Sequence, residues 1–162
     1  LFLKLSKIKI HNYRCFGEEQ VIYVDELTTF IGNNSAGKTA ALCALNCIFS
    51  ENTSERILKR SDFHLPKDKK PDLEYQEMYI EAVFNFVELD DEQPKESSVP
   101  QFFESLVVDE PNGTPYLRIR LMATWEKSNT IEGAIESKIV YITCSENEEI
   151  TEENAEELTV QE

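Results

Sequence analysis

The sequence predicts an α/β fold: a strand, a glycine loop and a helix form a phosphate-binding core, with long antiparallel strands added beside it. Three observations carry this. Gly32-Asn33-Asn34-Ser35-Ala36-Gly37-Lys38-Thr39 matches G-x-x-x-x-G-K-[ST]. An apolar run over 27–31 leads into it and a helix-forming run over 40–49 leads out. Beyond that helix the apolar periodicity becomes that of strands, and the regular alternation of strands and helices stops.

The elements follow in order. Residues 3–12 read as a strand, with Leu3 and Leu5, then Ile8 and Ile10, at period two. The phase shift between Leu5 and Ile8 predicts a bulge or bend. Gly17 marks a turn, 21–24 a short strand, and 27–31 the buried strand that feeds the loop. The helix over 37–49 is apolar on nearly all sides, which predicts burial. Residues 50–70 are polar and turn-rich, with a helical turn over 54–60. Lys59, Arg60, Lys67, Lys69 and Lys70 make this the most basic part, read as a solvated loop.

Residues 78–89 form a long strand, with Ile80, Ala82, Phe84 and Phe86 on one face and Glu81 and Asn85 on the other. An acidic connector spans 90–100, a short helix falls within 97–108, and Pro111-Asn112-Gly113 is a turn. Residues 116–126 alternate strictly, turn at Ser128-Asn129, and return over 135–144. That pair predicts a long hairpin with one wet face. Arg118 and Arg120 share a strand face. They either pair with Glu136 or its neighbours or touch nucleic-acid phosphate.

A chain of 162 residues makes one domain with its own core. No apolar run approaches the ~20 residues of a membrane span, and the start is too short for a secretory signal. Cys15, Cys43, Cys47 and Cys144 lack metal-site spacing and read as small packing residues in a reducing cytoplasm. His11 and His64 have no partner at metal spacing and take surface or packing roles. The net charge is −15, and 145–162 carries eight acidic residues and no basic one. Such a run is a solvated face or loose tail, and the charge lends no support to nucleic-acid binding by this segment.

The loop explains its own composition. Gly32 and Gly37 allow backbone angles a side chain forbids and let phosphate approach. Backbone N–H groups of Asn34, Ser35, Ala36, Gly37, Lys38 and Thr39 form an anion nest at a helix N-terminus. Lys38 reaches the β- and γ-phosphates and the Thr39 hydroxyl ligates Mg2+. The nucleotide-binding set is Gly32, Asn33, Asn34, Ser35, Ala36, Gly37, Lys38, Thr39, Ala40 and Arg14, with Lys38 catalytic and ATP and Mg the expected ligands.

Ile8-Lys9-Ile10-His11-Asn12-Tyr13-Arg14-Cys15-Phe16 resembles the "I-x-N-[FY]-R-x-F" opening of ABC-type ATPases of the RecF, SMC and OLD (overcoming lysogenization defect) group. Residues 28–39 look like that group's P-loop segment, Asn34 matching its loop asparagine. Ser61-Asp62-Phe63-His64 resembles an element of OLD-family ATP-dependent endonucleases, and 117–125 with Glu132-Gly133 looks like their sheet insertion.

The resemblance implies an N-terminal part of a larger ATPase fold. Residues 1–145 would be ATPase domain, with the P-loop at 32–39 and strands at about 78–89, 116–126 and 135–144. Residues 146–162 would be an acidic tail or the start of the next segment. It further implies a homodimer that sandwiches ATP between two heads, and a Toprim nuclease domain acting on DNA. Arg14 and Tyr13 would lie near the phosphates or base, unless their turn is structural with Phe16 in the core.

The family's glutamine loop, signature, Walker B pair and switch histidine find no match here. Leu89-Asp90-Asp91-Glu92 resembles a Walker B only superficially. The expected segment alone binds nucleotide weakly and turns it over negligibly. The rival readings are a RecF- or SMC-like ATPase of DNA repair or chromosome maintenance, and a non-hydrolysing module that senses nucleotide by dimerising.

Overall fold

The computed structural model describes residues 3–33, 37–66, 73–86, 105–108 and 113–158. Its elements are β1 (Leu3–His11), β2 (Gln20–Tyr23), α1 (Lys38–Phe49), α2 (Thr53–Arg56), β3 (Tyr75–Phe86), β4 (Val107–Val108), β5 (Tyr116–Glu126), β6 (Ala134–Ile142) and β7 (Ala155–Glu157). Single 3-10 turns sit at Arg60–Asp62 and Glu152–Asn154. The seven described strands form one sheet in the order β2-β1-β3-β5-β6-β7, with β4 beside β5. Every pairing is antiparallel.

The bulge in β1 is where the phase of its apolar residues shifts. Leu5 faces Phe84, but Lys7 already faces Val83. The extra residue, Ser6, donates its hydroxyl to the Val83 carbonyl at 3.0 Å. The irregularity keeps Leu3, Leu5, Ile8 and Ile10 on one side of the sheet, where a regular strand would turn two of them to the other.

That side is the core. Ala40, Ala41, Ala44, Cys47 and Ile48 of α1 pack onto Ile8, Ile10, Met78, Ile80, Leu121, Ala123 and Trp125. The alanines lower α1 close onto the strands, and each buried Ile or Leu stabilises by about 1.5–3 kcal/mol. Among the described residues the core covers this face of α1. Leu42 and Phe49 are more than two-fifths exposed, so the helix is half-buried, where apolar residues all round predicted full burial.

The predicted buried strand at 27–31 does not form. Residues 24–31 are irregular, with Leu27 87% and Ile31 91% exposed, while Phe30 reaches the core. The backbone is spent on a local turn instead. The Asp25 N–H donates to Thr28 Oγ1 at 2.9 Å and the Glu26 N–H to Asp25 Oδ1 at 2.8 Å. Among the described residues the glycine loop is therefore entered from a turn.

Other boundaries shift for local reasons. The helical turn expected over 54–60 closes at Arg56, with Asn52 capping it by accepting from the Ser54 N–H. Of the helix expected within 97–108, residues 97–104 lie outside the described residues, and Val107–Val108 is strand paired with β5. Lys67, Lys69, Lys70, the 90–100 connector with Asp90, Asp91 and Glu92, the end of the strand at 87–89, and Pro111 and Asn112 also lie outside them.

The hairpin of β5 and β6 forms in register, with Trp125 opposite Ile135 and Leu121 opposite Ile139. Gly133 closes its turn at φ +74, and a Cβ there would lie 2.2 Å from Trp125 Nε1. The indole N–H in turn donates to the Glu132 carbonyl at 2.8 Å.

The second sheet face is wet at Glu136 and Lys138, as expected, but closed toward the other end of the hairpin. Glu81 is fully buried, and Arg118 grips it with Nε to Oε1 at 2.9 Å and Nη2 to Oε2 at 3.2 Å. Arg120 Nε donates to Oε2 at 2.6 Å. The partner of both arginines is thus Glu81 on β3, not Glu136, which sits opposite Thr124. Nor is the stretch after 145 a loose tail over its described residues. Arg118 Nη1 donates to the carbonyls of Cys144 and Ser145, Glu146 bridges Lys7 and Lys9, and β7 pairs with β6.

Candidate functional site

Gly37 is the N-cap of α1 at φ +88, in the left-handed region, and no side chain caps the helix. The first-turn N–H groups of α1 have no partner of their own helix, so they offer donors and a positive dipole end to an anion. No acidic residue lies in that first turn. Lys38 folds back over the loop, donating from Nζ to the Gly32 carbonyl and, at 3.2 Å, to that of Asn33. Its ammonium thus lies against the first two carbonyls of the loop. Thr39 is exposed, with no side-chain hydrogen bond to a described residue. Ala40 is buried in the core, so only its backbone can face a ligand. Asn34, Ser35 and Ala36 lie outside the described residues.

The turn at residues 12–16 packs directly onto this loop. A Cβ on Gly37 would lie 2.8 Å from Cys15 Sγ and 2.9 Å from Phe16 Cζ. Asn12 and Arg14 both hold positive φ, 53 and 50, a costly backbone for non-glycine residues that persists only where surroundings over-determine it. Here they do. The Phe16 N–H donates to the Tyr13 carbonyl at 2.9 Å, the Arg14 N–H to the Asp62 carbonyl at 2.7 Å, and the His64 N–H to the Asn12 carbonyl at 2.8 Å.

Arg14 is held by side chain as well. Its Nε donates to Asp62 Oδ1 at 3.0 Å, while Asp62 Oδ2 accepts from the Lys59 N–H at 2.9 Å. Partial burial works against the guanidinium's charge, and the Asp62 carboxylate, with Tyr13 and Cys43, more than restores it. His64 Nδ1 donates to the Arg14 carbonyl at 2.7 Å. The two short motifs at 12–16 and 61–64 are therefore one structure. Sequence reasoning did not pair them, because only the folded turn brings positions so far apart together.

Tyr13 lies in the core, its hydroxyl 3.6 Å from Cys47 Sγ, and burial pushes its phenol well above the usual range. It cannot stack on a nucleotide base. Cys15 is exposed, unlike Cys47 and Cys144, with its Sγ lying against Gly37. His11 stacks on Tyr79 with ring centroids 5.1 Å apart.

A cavity of about 480 Å3 opens elsewhere, between α2 and β6, lined by Cys47, Arg56, Ile57, Ile135, Ile139 and Leu158 among others. No described residue of the glycine loop borders it. Among the described residues no helix is long and apolar enough to cross a membrane.

Comparison with known proteins adds one positive finding. The profile of a protein family described as "AAA ATPase domain" matches residues 3–161. No curated protein matches the chain.

Proposed function

The chain belongs to the AAA ATPase domain family, and from that premise we propose that loop 32–39 and the start of α1 hold the triphosphate of ATP. The observation that carries this is the uncapped N-terminus of α1 behind a left-handed Gly37, with the Lys38 ammonium turned into the loop. First-turn N–H groups and a cation converge where phosphate oxygens would lie. The donor set fits a nucleotide. Thr39, exposed and unengaged, would hold Mg2+, which when bound neutralises charge on the phosphates. Lys38 would leave the Gly32 and Asn33 carbonyls for phosphate oxygens. Arg14 stays oriented by Asp62, in the turn whose Cys15 and Phe16 pack against Gly37.

We further read the domain as part of an OLD-like ATP-dependent endonuclease. In that protein ATP would gate a Toprim nuclease acting on DNA, and heads would pair as a homodimer in the cytoplasm. The N-Y-R-C-F and S-D-F-H motifs support this, because they form a single hydrogen-bonded structure against the loop. The exposed Leu27, Ile31 and Leu42 support a further layer over the outward side of α1.

Calorimetric titration of Mg-ATP tests the site. Binding should weaken by about tenfold to a hundredfold in Lys38→Ala, the loss of ~1.5–3 kcal/mol expected for a charge-assisted contact. Chelating Mg2+ should weaken it again. Equal affinity in native chain and variant would remove Lys38 from the site.

A further inference from the structure

One cluster on the second sheet face holds more cations than carboxylates. Lys7, Lys9, Arg118 and Arg120 surround two carboxylates, Glu81 and Glu146, in a chain whose net charge is −15. Glu81, at the bottom, is shared by both arginines, with Lys9 Nζ 4.0 Å from it. Glu146, at the top, is held by one lysine on each oxygen: Lys7 Nζ at 2.6 Å from Oε1 and Lys9 Nζ at 2.5 Å from Oε2. Two ammonium groups on separate oxygens of one anion make a site for a carboxylate, and a phosphate presents two oxygens at nearly that spacing.

Glu146 reaches this site from a short segment. Arg118 Nη1 ties its start through the carbonyls of Cys144 and Ser145, and three-residue β7 on the sheet edge ties its end. Beside the lysines an aromatic ring is open to solvent. Tyr23, paired with Lys7 across β1 and β2, is 73% exposed, and Lys7 Nζ lies 5.8 Å from its ring centre. A cation pair beside an exposed aromatic ring is the combination that binds a single nucleic-acid strand, phosphate to lysine and base to ring.

We infer that Lys7, Lys9 and Tyr23 form a single-strand nucleic-acid site that Glu146 occupies from within the chain. The acidic segment is an intramolecular competitor, and a backbone phosphate takes the place of its carboxylate. The inference suits the DNA-acting reading but uses none of the nucleotide-site residues, so failure of ATP binding leaves it standing and its own failure leaves ATP binding untouched.

Fluorescence anisotropy with a labelled oligothymidylate at low salt tests it. Glu146→Gln should bind several-fold tighter than the native chain. Glu153→Gln, which removes the same charge from an exposed site of the same segment, should not. The gain should disappear in Glu146→Gln combined with Lys7→Gln, circular dichroism confirming that each variant folds. Equal affinity of Glu146→Gln and Glu153→Gln would overturn the inference, since overall charge alone would then govern binding. Retention of the gain without Lys7 would overturn it as well. Inorganic phosphate should compete no better than chloride of equal ionic strength. If it displaces the oligonucleotide at micromolar concentration, the site takes a free anion and the nucleic-acid assignment falls.

Discussion

Gly37 illustrates how one missing side chain serves both backbone and packing. Its φ of +88 is unfavourable for an L side chain, and Cys15 and Phe16 already fill the space a Cβ would need. Gly37→Ala is expected to destabilise by ~1–3 kcal/mol, read as a lower urea midpoint with unchanged slope. Adding Cys15→Ala should recover part of the loss by removing the steric share. Glu146 carries a pH dependence of its own. Burial raises its carboxyl, but Lys7 and Lys9 together hold it below the usual glutamate range. Its folded value thus lies under its unfolded one, and in the window between them the unfolded chain binds more protons. The stability it contributes is present above the ordinary glutamate range and lost as pH falls through the depressed folded value. Lys7, Lys9 and Glu81 are the charged groups facing it. Amide exchange across β7, compared between the native chain and Glu146→Gln, should differ at neutral pH and converge as pH falls through the depressed folded value of Glu146. A constant gap would assign the difference to another cause.

At the scale of elements, Glu81 on β3 is the keystone of β3, β5 and β1. Its loss would leave Arg118, Arg120 and Lys9 buried with Glu146 as their remaining carboxylate. Glu81→Ala should cost ~3–5 kcal/mol, the range for breaking a buried ionic group from one side, in thermal or urea unfolding. Replacing Glu81, Arg118 and Arg120 together by apolar residues of similar volume should cost much less. This cluster was not legible beforehand. Alternation put Arg118 and Arg120 on one face of β5, but which strand lies alongside is a matter of sheet order. The hairpin made β6 the obvious neighbour, whereas β3 holds the other flank. The bulge in β1 was legible, because a phase slip in apolar residues has one physical remedy. The run at 27–31 misled for the opposite reason. Leu27, Phe30 and Ile31 state a wish to be buried without supplying a strand to pair with, and the Asp25–Thr28 turn takes the backbone instead.

For the whole molecule, an ATPase domain was readable because G-x-x-x-x-G-K-T is a specific signal within eight positions. The joining of residues 12–16 to 61–64 needed the fold. So did the docking of the acidic segment, since charge alone argues for solvation and only Lys7 and Lys9 reverse it. The sheet order has a consequence for how the chain is made. β1 lies between β2 and β3, and its Ser6 meets Val83, 77 positions along. During synthesis β1 and β2 emerge early as an isolated hairpin with an unpaired edge and a bare row of Leu5, Ile8 and Ile10. α1, α2 and the first part of β3 must follow before that edge finds its partner. The nascent chain therefore passes through an interval of sticky, half-built sheet, the stage at which a ribosome-associated chaperone has most to protect.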